Sequence, residues 1–388
     1  MLTTTMHDIN VTQTRGGNTR KTTSNELVGR YSTIVADQRL SWTTHLRLQR
    51  LLGQGGQGVV YLTEQRGADQ FTLPVALKIF SPERFESARA YDEAMHRIAH
   101  VASAIAQIQH DNLLDVYNFV DRNRIRMMVM EWVDGYDLQQ LLVPGMLQRI
   151  RSRVSNRRWK YLNQVIVTRG PIHPRVQPGV AVAIVRDCLA ALAALHREEL
   201  VHGDMKPSNV MLKRSGHAKI IDFGSAFDLA EPPPTRSCTP AYAAPEVLEG
   251  NDCTPRSDLA SLGYVLIELL AGRPLFANCT NCRELLEAKR ALPQTMVDIL
   301  PEDVTVNELL MNFCRGMIAP DPMLRFASAE AADLLKEGAA AFHRQLVKGD
   351  LSVEYGNEIR LWLEELKEME EAEREAGMNE TTDPFGTC

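Results

Sequence analysis

His202-Gly203-Asp204-Met205-Lys206-Pro207-Ser208-Asn209 is the stretch on which the fold of this chain turns. It sets a carboxylate, an ammonium and an amide within a few residues of one another. Downstream stand Lys219-Ile220-Ile221-Asp222-Phe223-Gly224 and Ala244-Pro245-Glu246; upstream stand Gly53-Gln54-Gly55-Gly56-Gln57-Gly58 and Val75-Ala76-Leu77-Lys78. Each signal is weak alone. Glycines lack a Cβ, so backbone amides can approach phosphate oxygens closely, but a lone glycine turn has the same composition. A dinucleotide-binding fold would put such a turn before a helix, with an acidic residue about twenty positions on. Here it runs into Val59-Val60-Tyr61-Leu62, which is strand chemistry. Lys78 ends an apolar run, and alone it could reach a phosphate or snorkel to solvent. All five signals in one chain, in this order, are not a coincidence.

Outward from these motifs the pattern changes twice along the 388 residues. Residues 1 to about 40 are polar, rich in Thr, Asn, Gly and Arg, and read as part of a flexible tail over 1–43. Strand-like runs follow at His45–Leu52, Val59–Thr63 and Val75–Phe80. Residues 84–109 carry Ile98, Val101, Ala102, Ile105 and Ile108 at helical spacing. Two more strands fit Leu113–Val120 and Ile125–Glu131. From residue 178 the pattern is helical, over Val180–Glu198, Leu259–Leu270, Val306–Met317 and Ala329–Leu346. A strand-rich part followed by a helix-rich part predicts an α+β, two-lobed molecule, with a small lobe over 44–133 and a larger one over 134–342.

With order and spacing established, the chain resembles the eukaryotic-like protein kinase family in its bacterial form, over roughly residues 46–340. The resemblance implies the two-lobed kinase fold and transfer of the γ-phosphate of ATP, with Mg2+ (or Mn2+), to a protein Ser/Thr hydroxyl. Such a transfer needs charge neutralisation and in-line positioning more than covalent help. By this resemblance Asn209 and Asp222, hard oxygen ligands, hold the metal. Lys78 pairs with the α- and β-phosphates, and Lys206 sits over the γ-phosphate. Asp204 accepts the proton of the substrate hydroxyl. Gly53, Gly55 and Gly58 cover the phosphates, and Val60 and Ala76 match the family's nucleotide-site positions. Met130, Glu131 and Val133 match the hinge whose backbone binds adenine, with Met130 as gatekeeper, and Asp137 matches a ribose contact. Glu93 is the candidate partner of Lys78. The family's glutamate falls nearer His100, seven residues or about two turns away, so Glu93 could share its face on a longer helix. Asp258 matches the brace of the catalytic loop, and Arg325 matches the partner of Glu246.

One departure is Gly203, where many protein kinases carry arginine. The triplet His202-Gly203-Asp204 also occurs in the related kinases of aminoglycosides and choline. Lys206, the Ala244-Pro245-Glu246 triplet and the Cys238-Thr239-Pro240 platform point instead to a protein acceptor, with Thr239 placed to bond Asp204. A pseudokinase scaffold is the other alternative, yet neither the strand lysine nor either key aspartate is lost. Without an arginine at 203 to receive a phosphate, activity should not depend on phosphorylation of Thr235 or Ser237.

Composition bounds the rest. A hydrophobic fraction of 44% suits a packed body, and a net charge of −6 argues against bulk nucleic-acid binding. The apolar run Val180–Leu195 is interrupted by Arg186 and Asp187 and too short to span a bilayer. No signal peptide is apparent. Seven cysteines without a disulfide framework suit a reducing cytoplasm. Cys279 and Cys282 form a lone CxxC, read as ordinary thiols because no second pair lies near. Between Asp137 and Asp187 there is no acidic residue, but Arg149, Arg151, Arg153, Arg157, Arg158, Lys160, Arg169, Arg175 and Arg186 are present. Residues about 145–178 thus read as a basic insertion, irregular in its Pro-containing second half. At the other end, 343–388 is an acidic tail. Within it, residues 350–375 read as an amphipathic helix with Ile359, Trp362, Leu363, Leu366 and Met369 on one face. The tail helix is either solvated on its own or docked near the insertion, for which an acidic partner is the other candidate.

Overall fold

The computed structural model of the chain describes residues 24–37, 39–41, 45–67, 69–234, 238–348 and 355–380. Thr235 and Ser237 lie outside the described residues, as does most of the expected N-terminal tail. The described part of that tail corrects the expectation: Ser24–Asp37 is a helix, α1, burying Leu27, Tyr31 and Ile34. These recur at intervals of four and three, a helical stripe that the polar composition hides.

The small lobe is a five-stranded sheet. Its strands are β1 (Arg50–Gly55), β2 (Gly58–Arg66), β3 (Thr72–Phe80), β4 (Val116–Arg122) and β5 (Ile125–Glu131), in the order β1-β2-β3-β5-β4, all antiparallel. The second half of β3 is buried continuously from Val75 to Phe80 rather than alternating, as befits a central strand covered on both faces. Between β3 and β4 runs α2 (Ala88–Ile105), started by the Ser87 side chain accepting from the Ala90 N–H.

In the helical lobe, the insertion forms α3 (Met146–Arg151) and α4 (Asn156–Val165), and its remainder is a short pairing of Val167–Thr168 with Arg175–Val176. The core helix α5 (Pro178–Arg197) starts on a proline at its first position. It is longer than the apolar run suggests, and long and apolar enough to cross a membrane by length and composition. Most of its side chains, however, are buried inside the lobe. Next come β6 (Val210–Lys213), β7 (Ala218–Ile220), α6 (Pro255–Ala271), α7 (Cys282–Thr295) and α8 (Glu308–Ile318). A capping box of Thr254 and Ser257 opens α6, and Gly272 closes it at φ +68°. The helix expected over Ala329–Leu346 is broken into α9 (Ala329–Leu334) and α10 (Ala339–Lys348). At the break Gly338 lies so close to the Ala332 and Asp333 carbonyls that a Cβ would clash.

The tail helix α11 (Tyr355–Glu380) docks on the helical lobe, with Ile359, Trp362, Leu363, Leu366 and Met369 all buried. Trp362 enters among Leu138, Leu141, Val176 and Leu212. Glutamates on its flank meet the insertion: Glu365 accepts from Arg158 at 2.6 Å and Glu373 from Arg149 at 2.5 Å. Glu370 accepts from the Tyr136 hydroxyl at 3.1 Å, close behind the hinge. Two glycines make room for the start of α11. A Cβ at Gly179 would collide with the Tyr355 ring, and one at Gly216 with the Gly356 backbone.

Candidate active site

Strand register brings the nucleotide-side residues together. Val60 lies opposite Lys78, and Ala76 lies opposite Met130. Opposed residues share a face and side chains alternate, so all four line one face of the sheet. Lys78 is buried, and its Nζ lies 2.5 Å from Asp222 Oδ1 and 2.7 Å from Gln57 Oε1. Asp222 adopts φ +67°, and the Gly224 N–H donates to the same Oδ1 at 3.0 Å. Burial alone would raise the Asp222 carboxyl, but the Lys78 ammonium and the Gly224 N–H outweigh it and hold the group below the usual carboxylate range.

Glu93 does not join this cluster. The buried face of α2 carries Tyr91, Ala94, Met95, Ile98, Val101, Ala102 and Ile105. Glu93 lies off that face, about half exposed, and bonds Arg89 at 2.7 Å. His100 is exposed as well. The two positions do share a face, as their spacing requires, but it is the solvent face. The other acid of α2, Asp92, pairs with Arg124 and Arg126.

The hinge follows β5. The Glu131 carboxylate pairs with the buried Lys219, and Val133 is buried. Asp137 caps a short helical turn, accepting from the Gln140 N–H at 2.8 Å, and burial raises its carboxyl. Its backbone pairs with Met211 of β6.

The acceptor side is built around Asp204. Its Oδ1 accepts from the Thr239 N–H at 2.8 Å, and its Oδ2 from Lys206 Nζ at 2.6 Å. Lys206 also donates to the Thr239 hydroxyl at 3.0 Å. Asn209 Nδ2 donates to the Asp204 carbonyl at 2.8 Å, so its amide oxygen is the end offered to a cation. The Ile221 N–H donates to the Asn209 carbonyl at 2.9 Å, which ties this loop to the segment bearing Asp222.

Behind the loop, Asp258 accepts from the His202 and Gly203 N–H groups, both at 2.9 Å, and contacts His196 Nε2 at 3.0 Å. Burial opposes ionisation of Asp258, yet these donors hold its carboxyl below the usual range. Gly203 sits at φ +75°, a conformation that disfavours a side chain. Burial pushes the His202 imidazole down; it packs edge-on against Phe223.

Arg325 binds both oxygens of Glu246 at 2.6 Å, and Ser257 donates to Glu246 at 2.8 Å. Replacing Arg325 by methionine strands a buried carboxylate and should cost about 3–5 kcal/mol of stability. The double variant Glu246→Leu, Arg325→Met should recover much of that loss. Urea unfolding midpoints of the two variants check both expectations.

Two contributors carry no motif in the sequence. Gln57 sits among glycines, and nothing in its type alone directs it to Lys78. Lys289 of α7 is fully buried, donates to the Ala241 carbonyl at 2.7 Å and lies over the Tyr264 and Phe276 rings at 3.9 and 4.3 Å. Burial pushes its ammonium well below the ordinary lysine range. It anchors the platform on which Thr239 sits, and only the fold brings it there.

Comparison with known proteins bears on the family. The family model described as "Protein kinase domain" matches residues 46–336. Serine/threonine-protein kinase PrkC of Bacillus subtilis (strain 168) is 27% identical over 333 residues, 84% of this chain and 43% of the relative. Serine/threonine-protein kinase PkaA of Streptomyces coelicolor is 31% identical over 272 residues, 65% of this chain and 44% of the relative. Serine/threonine-protein kinase PknL of Mycobacterium tuberculosis is 32% identical over 235 residues, 59% of this chain and 50% of the relative. The matched parts thus cover half or less of the length of these relatives. A kinase-domain match over most of the chain, on a five-stranded sheet joined to a helical lobe, makes this chain a member of the protein kinase family, in its bacterial Ser/Thr branch.

Proposed function

We propose that the chain transfers the γ-phosphoryl group of ATP to Ser/Thr hydroxyls of proteins. The observation that carries this reading is the double anchoring of Asp204, by Lys206 on one carboxylate oxygen and by the Thr239 N–H on the other. An acid held this way can orient a hydroxyl and take its proton as the new bond forms. Lys206 offsets charge on the transferred group, and Lys78 holds the α- and β-phosphates. The donor set suits a magnesium nucleotide: a buried ammonium, a carboxylate open to the cleft and an amide oxygen. Asp222 and Asn209 would hold Mg2+ (or Mn2+), which neutralises charge on the phosphate oxygens. The loop of Gly53, Gly55 and Gly58 would cover the phosphates. Val60, Ala76 and Met130 would flank adenine, with the backbone of Glu131 and Val133 bonding it. Asp137 is near enough to the hinge for a ribose contact, although its carboxylate is already engaged as a cap.

A protein acceptor is favoured over an aminoglycoside or choline by the platform after Cys238. Thr239, Ala241 and Tyr242 are each tied down, to Asp204, Lys289 and Glu268 respectively. Residues 44–133 and 134–342 are read as the two catalytic lobes and 343–388 as a tail that binds the insertion in cis. A cytoplasmic location fits the free cysteines among the described residues.

The test is incubation of the purified protein with ATP, Mg2+ and a generic protein acceptor, with kanamycin and choline in parallel. Wild type should label serine or threonine in protein, and Asp204→Asn should not. Labelling of either small molecule in place of protein would overturn the reading.

A further inference from the structure

Lys78 has no carboxylate partner on α2, because Asp92 and Glu93 both bond arginines elsewhere. Its described hydrogen-bond partners are Asp222 and the amide of Gln57. Gln57 stands at the apex of the β1–β2 turn, between the paired Gly55 and Gly58. The turn is pinned from behind. The Ser81 N–H donates to the Gln57 carbonyl at 3.0 Å, and Gly58, at φ +137°, lies so tight against the Ile79 carbonyl that a Cβ would clash. On the cleft side, Gln57 Nε2 donates to Ser225 Oγ at 3.4 Å. A Cβ at Gly224 would collide with the Gln57 amide, so that glycine leaves the space the amide fills. One side chain thus links the phosphate-side lysine of the small lobe to the Asp222–Ser225 segment of the large one.

We propose that Gln57 is a positioning residue of the phosphate site, standing in for the acid that α2 lacks. This rests on the phosphoryl-transfer reading above. With the site empty, the amide oxygen holds Lys78 beside Asp222. When phosphates approach, they compete for Lys78, and the same amide presents its NH2 end to them. A neutral group with a donor and an acceptor can serve both states. A carboxylate could serve only the first, because it would repel the phosphates. Orientation of Lys78 is thereby coupled to closure of the glycine turn rather than to the position of α2.

The experiment measures direct binding of ATP·Mg2+ and of adenosine to wild type, Gln57→Ala and Gln57→Glu, by calorimetry. A hydrogen bond to a charged group predicts ATP affinity about tenfold or more weaker in Gln57→Ala, and weaker again in Gln57→Glu. Adenosine affinity, and the Tm without nucleotide, should match wild type in both. Equal losses for ATP and adenosine would make Gln57 merely structural, and tighter ATP binding by Gln57→Ala would make it an obstruction; either result overturns the proposal, as does no change. Protein labelling by wild type is scored separately. A wild type that binds ATP but labels nothing overturns the phosphoryl-transfer reading, while the affinities still decide the role of Gln57.

Discussion

Lys78→Met and Asp222→Ala each reduce phosphoryl transfer at least about a thousandfold, roughly 4 kcal/mol of barrier. On the proposed reading both groups face ligand charge, and such charge stabilisation is the largest contribution a site of this kind makes. The two variants part company in stability. The Lys78 side chain is 7% exposed and that of Asp222 is 32% exposed. Removing Lys78 leaves a carboxylate that water can reach, and methionine fills the vacated stem, so Tm stays near wild type. Removing Asp222 leaves a buried ammonium with the Gln57 amide and the Phe80 ring face, and should cost about 1–3 kcal/mol. Radiolabel transfer to protein and thermal melts of the two variants test both halves. More than a tenth of wild-type activity in either variant would sink the assignment of that residue.

The second large effect lies far from the chemistry. Trp362→Ala should destabilise the helical lobe by about 3–5 kcal/mol, the range for truncating a large buried aromatic. A chain ending at Lys348 also uncovers the sites of Ile359, Leu363, Leu366 and Met369. Each fully buried side chain of this kind is worth about 1.5–3 kcal/mol, against a total margin of about 5–15 kcal/mol for a typical domain. That chain should be poorly soluble, with raised hydrogen exchange over residues 145–178. By contrast, Arg149→Ala with Glu373→Ala should cost under about 1 kcal/mol, because both side chains are nearly half exposed. The comparison decides whether apolar burial or charge holds the tail. Urea midpoints for Trp362→Ala and for the arginine–glutamate double variant that fall equally close to wild type would contradict the apolar account.

The motif residues that the structure brings together were legible as a set because the proposed phosphoryl transfer restricts which atoms can serve. The strands of the small lobe were legible because their apolar runs are bounded by glycine and polar turns; Ile125–Glu131 falls where its pattern puts it. The first cause of the misses is that a periodicity gives a face but not what the face meets. Glu93 and His100 share a face as their spacing says, yet the apolar residues of α2 turn that face to solvent. In α1, Leu27, Tyr31 and Ile34 carry a helical stripe diluted by threonine and glycine. The break between α9 and α10 is set by a close backbone approach at Gly338, which no local propensity announces. Both Gln57 and Lys289 act through partners distant in sequence, at Ser225 and Ala241, and no pattern within either neighbourhood reports them.

The seat of Trp362 has a consequence for how this protein comes into being. Its walls are supplied by Leu138, Leu141, Val176, Leu212 and Leu269, all made long before residue 362 leaves the ribosome. At about 5–20 residues per second, the last of these walls waits roughly five to twenty seconds of synthesis for its plug. Through that interval the nascent large lobe presents an open apolar socket, beside a hinge not yet backed by Glu370. A message cut short, or a chain clipped before α11, therefore yields a product marked for capture by chaperones and proteases. Synthesis of α11 is built into the fold as a condition for a closed large lobe.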